Sequence, residues 1–348
     1  MSQSPQRPGA IILGSGYIAD RHATGLREAK IPILGVYSPH SERAARAAEA
    51  WGTRAIRSVE ELLLHPQATH LHVCTPTTSH AGYITEAISR ELAIVCEKPL
   101  TVNSATAEQL AAAASAAGVQ DFVTFNRRYD QGIQLLRSLY LDGEIGEAVS
   151  VYGSYQQEWN APVSSRDWRF DPAQVGPSRV VSEIGSHWFD LACYVLATDI
   201  VAAIAATGNM GEREFLQDGQ SGTFTPENED TFSALLRFGN GALGTVLATQ
   251  LAHGAWDDIT LRVDGTRGSL LWTSDTPGRV EVAHKGHSIT SYGVGGGTNS
   301  IETMIASIYG GADTTCARFS DGLKNCAVQD AVLESSRTND WTTVKDYS

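Results

Sequence analysis

Several features that would assign a chain to a specialised class are absent from this sequence. No apolar run reaches the roughly 20 residues that a membrane-spanning helix needs. Residues 1–9 contain no apolar core that would indicate a signal peptide. The 5 cysteines are an odd number and none forms a C-x-x-C pair, which favours reduced thiols. We therefore expect a cytoplasmic protein that has no membrane partner.

Positive charge is also scarce. The 348 residues include 26 Lys and Arg against 39 Asp and Glu, for a net charge of −13 at pH 7. This balance argues against nucleic acid or an anionic membrane as the main partner, because both repel a negative surface. The hydrophobic content of 42% and the charged content of 19% are typical of globular proteins. The length predicts two domains with sizeable cores.

A glycine-rich turn near the start of the chain indicates a dinucleotide site. Ala10–Leu13 is a buried-strand pattern, and a helical pattern follows from about Tyr17. Between them, in Gly14-Ser15-Gly16-Tyr17-Ile18-Ala19, the first Gly permits the turn and the second admits a pyrophosphate. The small Ala19 allows close packing of helix on strand. The pyrophosphate would then lie on the helix N-terminus.

The end of the second predicted strand bears on the choice between NAD and NADP. Ile33–Tyr37 is followed by Ser38, at the position where Asp or Glu binds the ribose 2′-hydroxyl of NAD. Ser38 does not repel a 2′-phosphate, and Arg43 can pair with one. We therefore favour NADP. If Ser38 only caps the turn and Arg43 is solvated, NAD remains the cofactor.

The most informative motif is Cys96-Glu97-Lys98-Pro99, which closes the apolar strand Ala93–Val95. Open α/β sheets bind ligands at the carboxyl ends of their strands. A lysine buried beside a cofactor can have its pKa lowered and serve as an acid or base. The competing interpretation is an ordinary strand end with a surface lysine. On the preceding strand, we interpret His70, His72 and Cys74 as structural rather than as metal ligands.

The order of strand and helix patterns predicts the fold. They alternate from residue 9 to about residue 127, as in a parallel sheet with right-handed crossovers. Later strands are separated by turns such as Gly239-Asn240-Gly241, which predict hairpins. We therefore predict an α/β fold with an N-terminal Rossmann dinucleotide-binding domain (1–127) and a C-terminal α+β domain (128–348) that has a large, mainly antiparallel open sheet. The polar segment 209–228 could be a lid or arm, and a mobile surface loop is the favoured interpretation.

Five motifs in chain order resemble the Gfo/Idh/MocA family of oxidoreductases, to which glucose-fructose oxidoreductase and inositol dehydrogenase belong. They are Thr75-Pro76-Thr77-Thr78-Ser79-His80, Cys96-Glu97-Lys98-Pro99, Asn126-Arg127-Arg128-Tyr129, Glu183-Ile184-Gly185-Ser186-His187-Trp188-Phe189-Asp190 and Phe319-Ser320-Asp321-Gly322-Leu323-Lys324-Asn325. Two positions depart from the family pattern. Thr77 stands in place of Asn, and Glu183 stands where Asp usually precedes the active-site His by four residues.

The resemblance implies a cofactor site, a proton-transfer pair and a substrate site, and from the residues themselves we expect no metal. Lys98 and His187 would meet at the substrate hydroxyl, one of them as base, with Glu183 as a third catalytic residue. The residues expected at the cofactor are Gly14, Ser15, Gly16, Tyr17, Ile18, Ser38, Arg43, Thr75, Pro76, His80, Glu97, Lys98 and Asn126. The residues expected at the substrate are Lys98, Arg128, Trp168, Arg169, Glu183 and His187.

Trp168 and Arg169 suit a sugar on chemical grounds as well. An aromatic ring stacks on the apolar face of a sugar, and an arginine donates to hydroxyl or carboxylate groups. Packing at a domain interface is the competing interpretation of this pair.

The sequence thus predicts an NAD(P)-dependent dehydrogenase acting on a secondary alcohol of a sugar, inositol or sugar derivative. The alternatives are a cofactor-retaining sugar oxidoreductase, a redox-assisted glycoside-cleaving enzyme, and a non-catalytic sensor, which would not need Lys98 and His187. We also expect a homodimer or homotetramer, because a sheet covered on one face exposes apolar residues of strands such as 242–247. A monomer would result if residues 295–309 fold over that face.

Overall fold

The computed structural model describes residues 8–161, 163–164, 168–217, 219–295, 300–311 and 315–347. The chain divides into two compact units, each discontinuous in sequence. The first unit draws on residues 1–101, 105–126 and 299–323, and the second draws on residues 102–104, 127–298 and 324–348. The predicted boundary at residue 127 stays a prediction.

Helices occur in both units. The helices of the described residues are α1 (Tyr17–Glu28), α2 (Ser41–Trp51), α3 (Val59–Leu63), α4 (His80–Ser89), α5 (Ser104–Ala117), α6 (Gln131–Leu141), α7 (Pro172–Val175), α8 (Ser186–Leu196), α9 (Ser300–Gly310) and α10 (Phe319–Thr338). The sequences of α2 and α5 are rich in alanine, the residue with the highest helix propensity, and each begins at a serine. No helix in the described part of the chain is both long and apolar enough to cross a bilayer.

The first unit is built on a parallel sheet with the strand order β2-β1-β3-β4-β5. Its strands are β1 (Ala10–Leu13), β2 (Ile33–Tyr37), β3 (His70–Val73), β4 (Ala93–Cys96) and β5 (Asp121–Val123). Every residue of β1 and β4 is buried, as is typical of central strands in an α/β sheet. The predicted Rossmann-like sheet is confirmed.

The late helix α9 belongs to this first unit and packs against α1. A Cβ on Gly25 of α1 would lie only 2.9 Å from Cβ of Ile305, so the two helices touch where glycine leaves room. Arg21 of α1 and Glu302 of α9 form an ion pair of 2.8 Å beside this contact. The buried face of α9 is therefore occupied within the first unit.

The second unit contains a nine-stranded sheet in the order β16-β15-β14-β13-β6-β12-β11-β8-β17. The strands of this unit are β6 (Ala148–Gln156), β7 (Val163–Ser164), β8 (Ile200–Gly208), β9 (Arg213–Gln217), β10 (Gln220–Phe224), β11 (Thr231–Phe238), β12 (Leu243–Thr249), β13 (Asp258–Gly265), β14 (Gly268–Thr273), β15 (Arg279–His284), β16 (Thr290–Gly293) and β17 (Thr342–Thr343). Only the pair of β6 with β12 is parallel in this sheet of described strands. The predicted large, mainly antiparallel sheet is confirmed, and α8 covers it with buried Trp188 and Phe189.

The segment 209–228 does not form the irregular loop that the sequence suggested. Its described residues include β9 and β10, which pair in antiparallel register from Arg213↔Phe224 to Gln217↔Gln220. Phe224 packs edge-on against both Phe215 and Phe170, with ring centroids 6.1 and 5.1 Å apart. The expectation of a loop was wrong because two short strands rich in polar residues carry a weak periodic signal, which these aromatic contacts compensate.

Candidate active site

The glycine turn after β1 has the geometry of a nucleotide-binding turn. Gly14 has a φ of +110°, and a Cβ there would lie 2.3 Å from the carbonyl oxygen of Cys74, so only glycine fits. Gly16 caps α1, and nothing lies within 4 Å of where its Cβ would be. Tyr17 is exposed and Ile18 is half-buried at the start of the helix. The open helix N-terminus fits a pyrophosphate.

A cavity of about 410 Å³ adjoins this turn. Ser15 and Gly16 line one side, and Arg43 and Arg46 of α2 line another. Arg46 was missed by the sequence reasoning, although its position three residues after Arg43 places both on one helix face. Two guanidinium groups near a helix N-terminus make the cavity suitable for an anionic group of a dinucleotide.

Ser38 and Arg43 bear on the choice of cofactor. Ser38 is buried, and its Oγ accepts a hydrogen bond of 3.4 Å from the backbone N–H of His40, so it does cap the turn. Arg43 is exposed and makes no hydrogen bond or ion pair with any residue that the structure describes. Its guanidinium is available to a phosphate, and its assignment to the cofactor stays a prediction.

His80 ties together the two loops that follow β3 and β4. Its buried ring places Nε2 at 2.8 Å from the carbonyl oxygen of Thr75 and Nδ1 at 3.1 Å from that of Pro99. Burial lowers the pKa of His80, although these backbone contacts oppose the shift. Pro76 caps a 3₁₀ turn between Thr75 and His80. His80 therefore braces the loops, and direct contact of these residues with the cofactor stays a prediction.

Glu97 and Lys98 follow β4, and Asn126 follows β5. Glu97 is buried, with Oε1 at 3.1 Å from Nε2 of His22, and its Oε2 accepts the backbone N–H of Lys98 at 3.2 Å. The side chain of Lys98 is half-buried. Asn126 donates to Oγ of Ser300 at 2.8 Å. The carboxyl ends of adjacent parallel strands thus bring these three predicted residues to one edge of the sheet.

In the second unit, Glu183 lies in a π-helical turn, Val181–Gly185, that leads into α8. One of its carboxylate oxygens lies 3.0 Å from Nε of Arg169, and the other accepts from Nε2 of Gln250 at 3.3 Å. The Arg169 guanidinium also lies over the ring of half-exposed Trp168, 4.6 Å from its centroid. The structure therefore brings Trp168, Arg169 and Glu183 together with Gln250, and their role at the substrate stays a prediction.

A buried arginine is linked to the Glu183 carboxylate through Gln250. Arg179 donates to Oε1 of Gln250 at 2.5 Å, so Gln250 links it to Glu183. Arg179 and Arg213 both pair with Asp230, and all three side chains are fully buried. The sequence carried no local sign of this network, because its members lie on separate elements.

His187 occupies the first turn of α8 and is buried. Its ring centroid lies 6.1 Å from that of Tyr155, whose hydroxyl donates to Asp257 at 2.6 Å. Asp257 also accepts from Gln157 at 2.7 Å and pairs with Arg127. Burial raises the pKa of Tyr155, which keeps its hydroxyl neutral as a donor. Tyr155 and Asp257 are candidate site residues that the sequence reasoning missed.

Arg128 is committed to an ion pair. Its Nη2 lies 2.6 Å from Oδ1 of Asp190, and its Nε lies 2.9 Å from Oδ2, with both side chains buried. The guanidinium also lies 4.9 Å from the ring centroid of Tyr194. These contacts suit an arginine that fixes α8, and its role at the substrate stays a prediction.

Comparison with known proteins places the chain among oxidoreductases. A family model described as "Oxidoreductase family, NAD-binding Rossmann fold" matches residues 9–125, and one described as "GFO/IDH/MocA C-terminal domain" matches residues 133–271. Levoglucosan dehydrogenase of Pseudarthrobacter phenanthrenivorans is 26% identical over 97% of this chain and 98% of its own length. Inositol 2-dehydrogenase of Rhizobium meliloti is 25% identical over 93% of this chain and 95% of its own length.

Solved structures share the whole fold. Levoglucosan dehydrogenase in complex with NADH and L-sorbose has a TM-score of 0.89 at 24% identity, covering 97% of this chain and 98% of that one. An inositol dehydrogenase homolog of Azotobacter vinelandii, complexed with NADH and myo-inositol, has a TM-score of 0.82 at 20% identity, with coverage of 97% and 98%. The matches extend over both units of the molecule. The chain therefore belongs to the Gfo/Idh/MocA family and is an oxidoreductase with an NAD-binding Rossmann domain.

Proposed function

We propose that the protein is a dehydrogenase that interconverts a secondary alcohol and a ketone of a sugar, inositol or sugar derivative. The observation that carries the proposal is the cluster of Trp168, Arg169 and Glu183 in a chain that has an NAD-binding domain. Glu183 of this cluster precedes His187 by four residues. Such a cluster offers a stacking surface, a cationic donor and an acceptor, which is the chemistry that recognises a polyhydroxylated ring.

The nicotinamide, when bound, supplies or accepts the hydride. The turn at Gly14 and Gly16 and the guanidinium groups of Arg43 and Arg46 would hold the dinucleotide. Because Ser38 carries no charge and Arg43 is available, NADP is proposed to bind at least as well as NAD.

The protein itself has to move the hydroxyl proton. In the proposal, Lys98 and His187 share this task, since alcohol oxidation needs a base at the hydroxyl and ketone reduction needs an acid there. Glu183, oriented by Arg169 and Gln250, would hold a neighbouring hydroxyl so that the reacting carbon is positioned. The family resemblance supports both roles without deciding which residue is the base.

The experiment that tests this function is a screen of the purified enzyme against a panel of sugars, anhydrosugars and inositols with NAD and with NADP. Nicotinamide absorbance near neutral and alkaline pH reports oxidation directly. The relatives named for levoglucosan and inositol make these two compounds the first to assay. Cofactor binding without turnover of any polyol would contradict the proposal and favour a sensor.

We further propose that the enzyme is a homodimer or homotetramer joined through the open face of the large sheet. Leu235, Leu243 and Leu247 are 51%, 57% and 40% exposed and lie on adjacent strands β11 and β12, on the face opposite the buried residues. A contiguous apolar patch of this kind usually marks an interface. Residues 300–309 are disfavoured as its cover because α9 packs on α1.

Light scattering tests the assembly. A homo-oligomer has a multiple of the 37.3 kDa chain mass, and Leu235→Asp together with Leu243→Asp should shift it toward the monomer. A wild-type mass near that of one chain at micromolar concentration would overturn this claim.

A further inference from the structure

A chain of buried hydrogen bonds leads from Glu97 to a tyrosine on α9, all within the first unit. Nε2 of His22 lies 3.1 Å from Oε1 of Glu97, and Nδ1 of His22 lies 2.8 Å from Nδ1 of His72. Nε2 of His72 lies 2.9 Å from the hydroxyl of Tyr309. Both imidazoles are completely buried, whereas Tyr309 is partly exposed. The chain thus connects the candidate cofactor edge of the sheet with Tyr309, the one of these side chains that is partly exposed.

The proton positions in this chain follow from what each group can donate. An ionised carboxylate only accepts, so Nε2 of His22 donates to Glu97. In a neutral imidazole the other nitrogen then accepts, so Nδ1 of His72 donates to Nδ1 of His22. The remaining nitrogen of His72 accepts, and the Tyr309 hydroxyl donates to it. In every one of these hydrogen bonds, therefore, the donor lies on the Tyr309 side and the acceptor lies on the Glu97 side.

The surroundings favour these charge states. Although burial opposes it, the pKa of Glu97 is lowered by its bond to His22 and by the charge of Lys98. Burial holds the pKa of His72 well below its usual range and that of Tyr309 well above its own. His70, whose ring lies 4.4 Å from that of Tyr309, has its pKa lowered to about 4 by burial.

Besides Lys98, which lies next to Glu97, the ionisable groups packed around the chain add no net charge to it. Burial raises the pKa of Cys74 on β3, so its thiol is neutral. Arg21 and Glu302, on the two helices that enclose the chain, neutralise each other in an ion pair of 2.8 Å. Glu97 is therefore the member of the hydrogen-bonded chain whose charge changes when the chain gains or loses a proton.

We propose that Tyr309, His72 and His22 form a proton wire that exchanges protons between solvent and Glu97, next to Lys98. The proposal rests on the proposed dehydrogenase function, in which each turnover gains or loses one proton at Lys98 or His187. Because Glu97 is buried, a proton that reaches it needs a route through the protein, and these three side chains supply one.

The transfers balance along the wire. When solvent delivers a proton to the Tyr309 oxygen, the tyrosine's own proton moves to Nε2 of His72. The Nδ1 proton of His72 then moves to Nδ1 of His22, and the Nε2 proton of His22 moves to Glu97. Each broken O–H or N–H bond is matched by one formed, and both imidazoles end neutral. The reverse sequence carries a proton from Glu97 to solvent.

The first test needs no substrate and uses the full-length protein labelled with ¹⁵N-histidine. NMR should find the Nε2–H tautomer at His22 and the Nδ1–H tautomer at His72. Exchange of these protons with water, measured by saturation transfer, should slow by about tenfold in Tyr309→Phe because the outer link is removed. Tyr83→Phe makes the same change on α4 of the same unit and should leave the exchange rate unaltered. The opposite tautomer at His72, or unchanged exchange in Tyr309→Phe, would overturn the wire.

The second test asks whether turnover uses the wire. With the substrate found in the screen, Tyr309→Phe should lower kcat by about tenfold, less than the ~10²–10⁴-fold expected for direct acid–base residues. The solvent isotope effect should rise while the isotope effect of the transferred hydrogen falls, a shift that loss of packing alone does not produce. His72→Phe should behave in the same way. Slower exchange with unchanged kcat and isotope effects would refute the proton supply, whereas failure of the wild type to oxidise any polyol refutes the dehydrogenase and leaves the exchange test decisive for the wire.

Discussion

Two carboxylates, one buried in the first unit and one partly buried in the second, are held in opposite ways. Glu97 is bonded by the imidazole of His22, which is bonded in turn by His72. Glu183 is bonded by Arg169 and by Gln250, with Arg179 behind the amide. Imidazoles can exchange protons near neutral pH, whereas guanidinium and amide groups do not. The difference fits the proposal that Glu97 lies in a path for protons, whereas the groups that hold Glu183 do not relay them.

The two predicted proton-transfer residues divide between the same units, and their removal should give the largest effect. Lys98→Ala and His187→Ala should each lower turnover by ~10²–10⁴-fold, the range for loss of general acid–base catalysis. Folding and cofactor binding should persist, which circular dichroism and NADP titration would check. Near-normal turnover in both variants would show that neither residue moves the proton.

The second-largest effect should be on stability, and it should differ between the Asp230–arginine network of the second unit and the Glu97–histidine network of the first. Asp230→Asn leaves the buried guanidinium groups of Arg179 and Arg213 without their carboxylate and should cost about 3–5 kcal/mol in the free energy of unfolding. His72→Phe removes only neutral hydrogen bonds and should cost about 1–3 kcal/mol. Urea unfolding followed by tryptophan fluorescence measures both. Equal losses would mean that charge is not what distinguishes the networks.

Acid should weaken the first unit before the second. In the first unit, burial lowers the pKa of His70 to about 4 and holds that of His72 well below its usual range. These histidines stabilise the folded state at pH values above their unfolded pKa. As the pH falls below that pKa, their imidazoles bind protons in the unfolded state but not in the folded state, so the folded state loses stability. Each histidine can lower the free energy of unfolding by up to ~1.4 kcal/mol per pH unit, over the range from about pH 6.5 down to its folded pKa.

Groups of the second unit respond in the opposite sense. Burial raises the pKa of Glu229, and the carbonyl of Arg267 with Glu144 raises that of His284, so protonation favours the folded form at both. Hydrogen exchange between pH 7 and 5, corrected for intrinsic rates, should therefore show β3 losing protection before β11. Simultaneous loss would contradict the comparison.

The smallest expected effect is on the ratio of the affinities for NADP and NAD. Arg43→Ala should weaken NADP by about tenfold with little effect on NAD, because a guanidinium pairs with phosphate through charge-assisted bonds. Ser38→Asp should also weaken NADP selectively. Arg90→Ala is the matched control: this arginine directly follows α4, and its guanidinium donates to Glu86. Isothermal titration with both dinucleotides measures the ratio, and a strong preference for NAD that Arg43→Ala leaves unchanged would refute the assignment.

Local patterns predicted most of the fold and part of the site. The strand Ala10–Leu13, the turn at Gly14 and the helix after it form one contiguous signal, so the Rossmann motif could be recognised without tertiary information. Trp168-Arg169 and Glu183 could be grouped from the sequence because they lie close in the chain, with only residues 170–182 between them. The hairpin Arg213–Phe224 could not, because its strands are short and polar and its stability comes from Phe170, which lies far away in the chain.

What the sequence alone determined is therefore the order of elements, the identity of the motifs and the family to which they belong. These depend on the periodicity and spacing of neighbouring residues, which each segment carries by itself. Only the tertiary structure decided that His22 and His72 bond each other and Glu97, and that Arg179 and Arg213 share Asp230. Those partners come from separate strands and helices, and a buried polar group is stable wherever the fold supplies its complement, not where the sequence is adjacent.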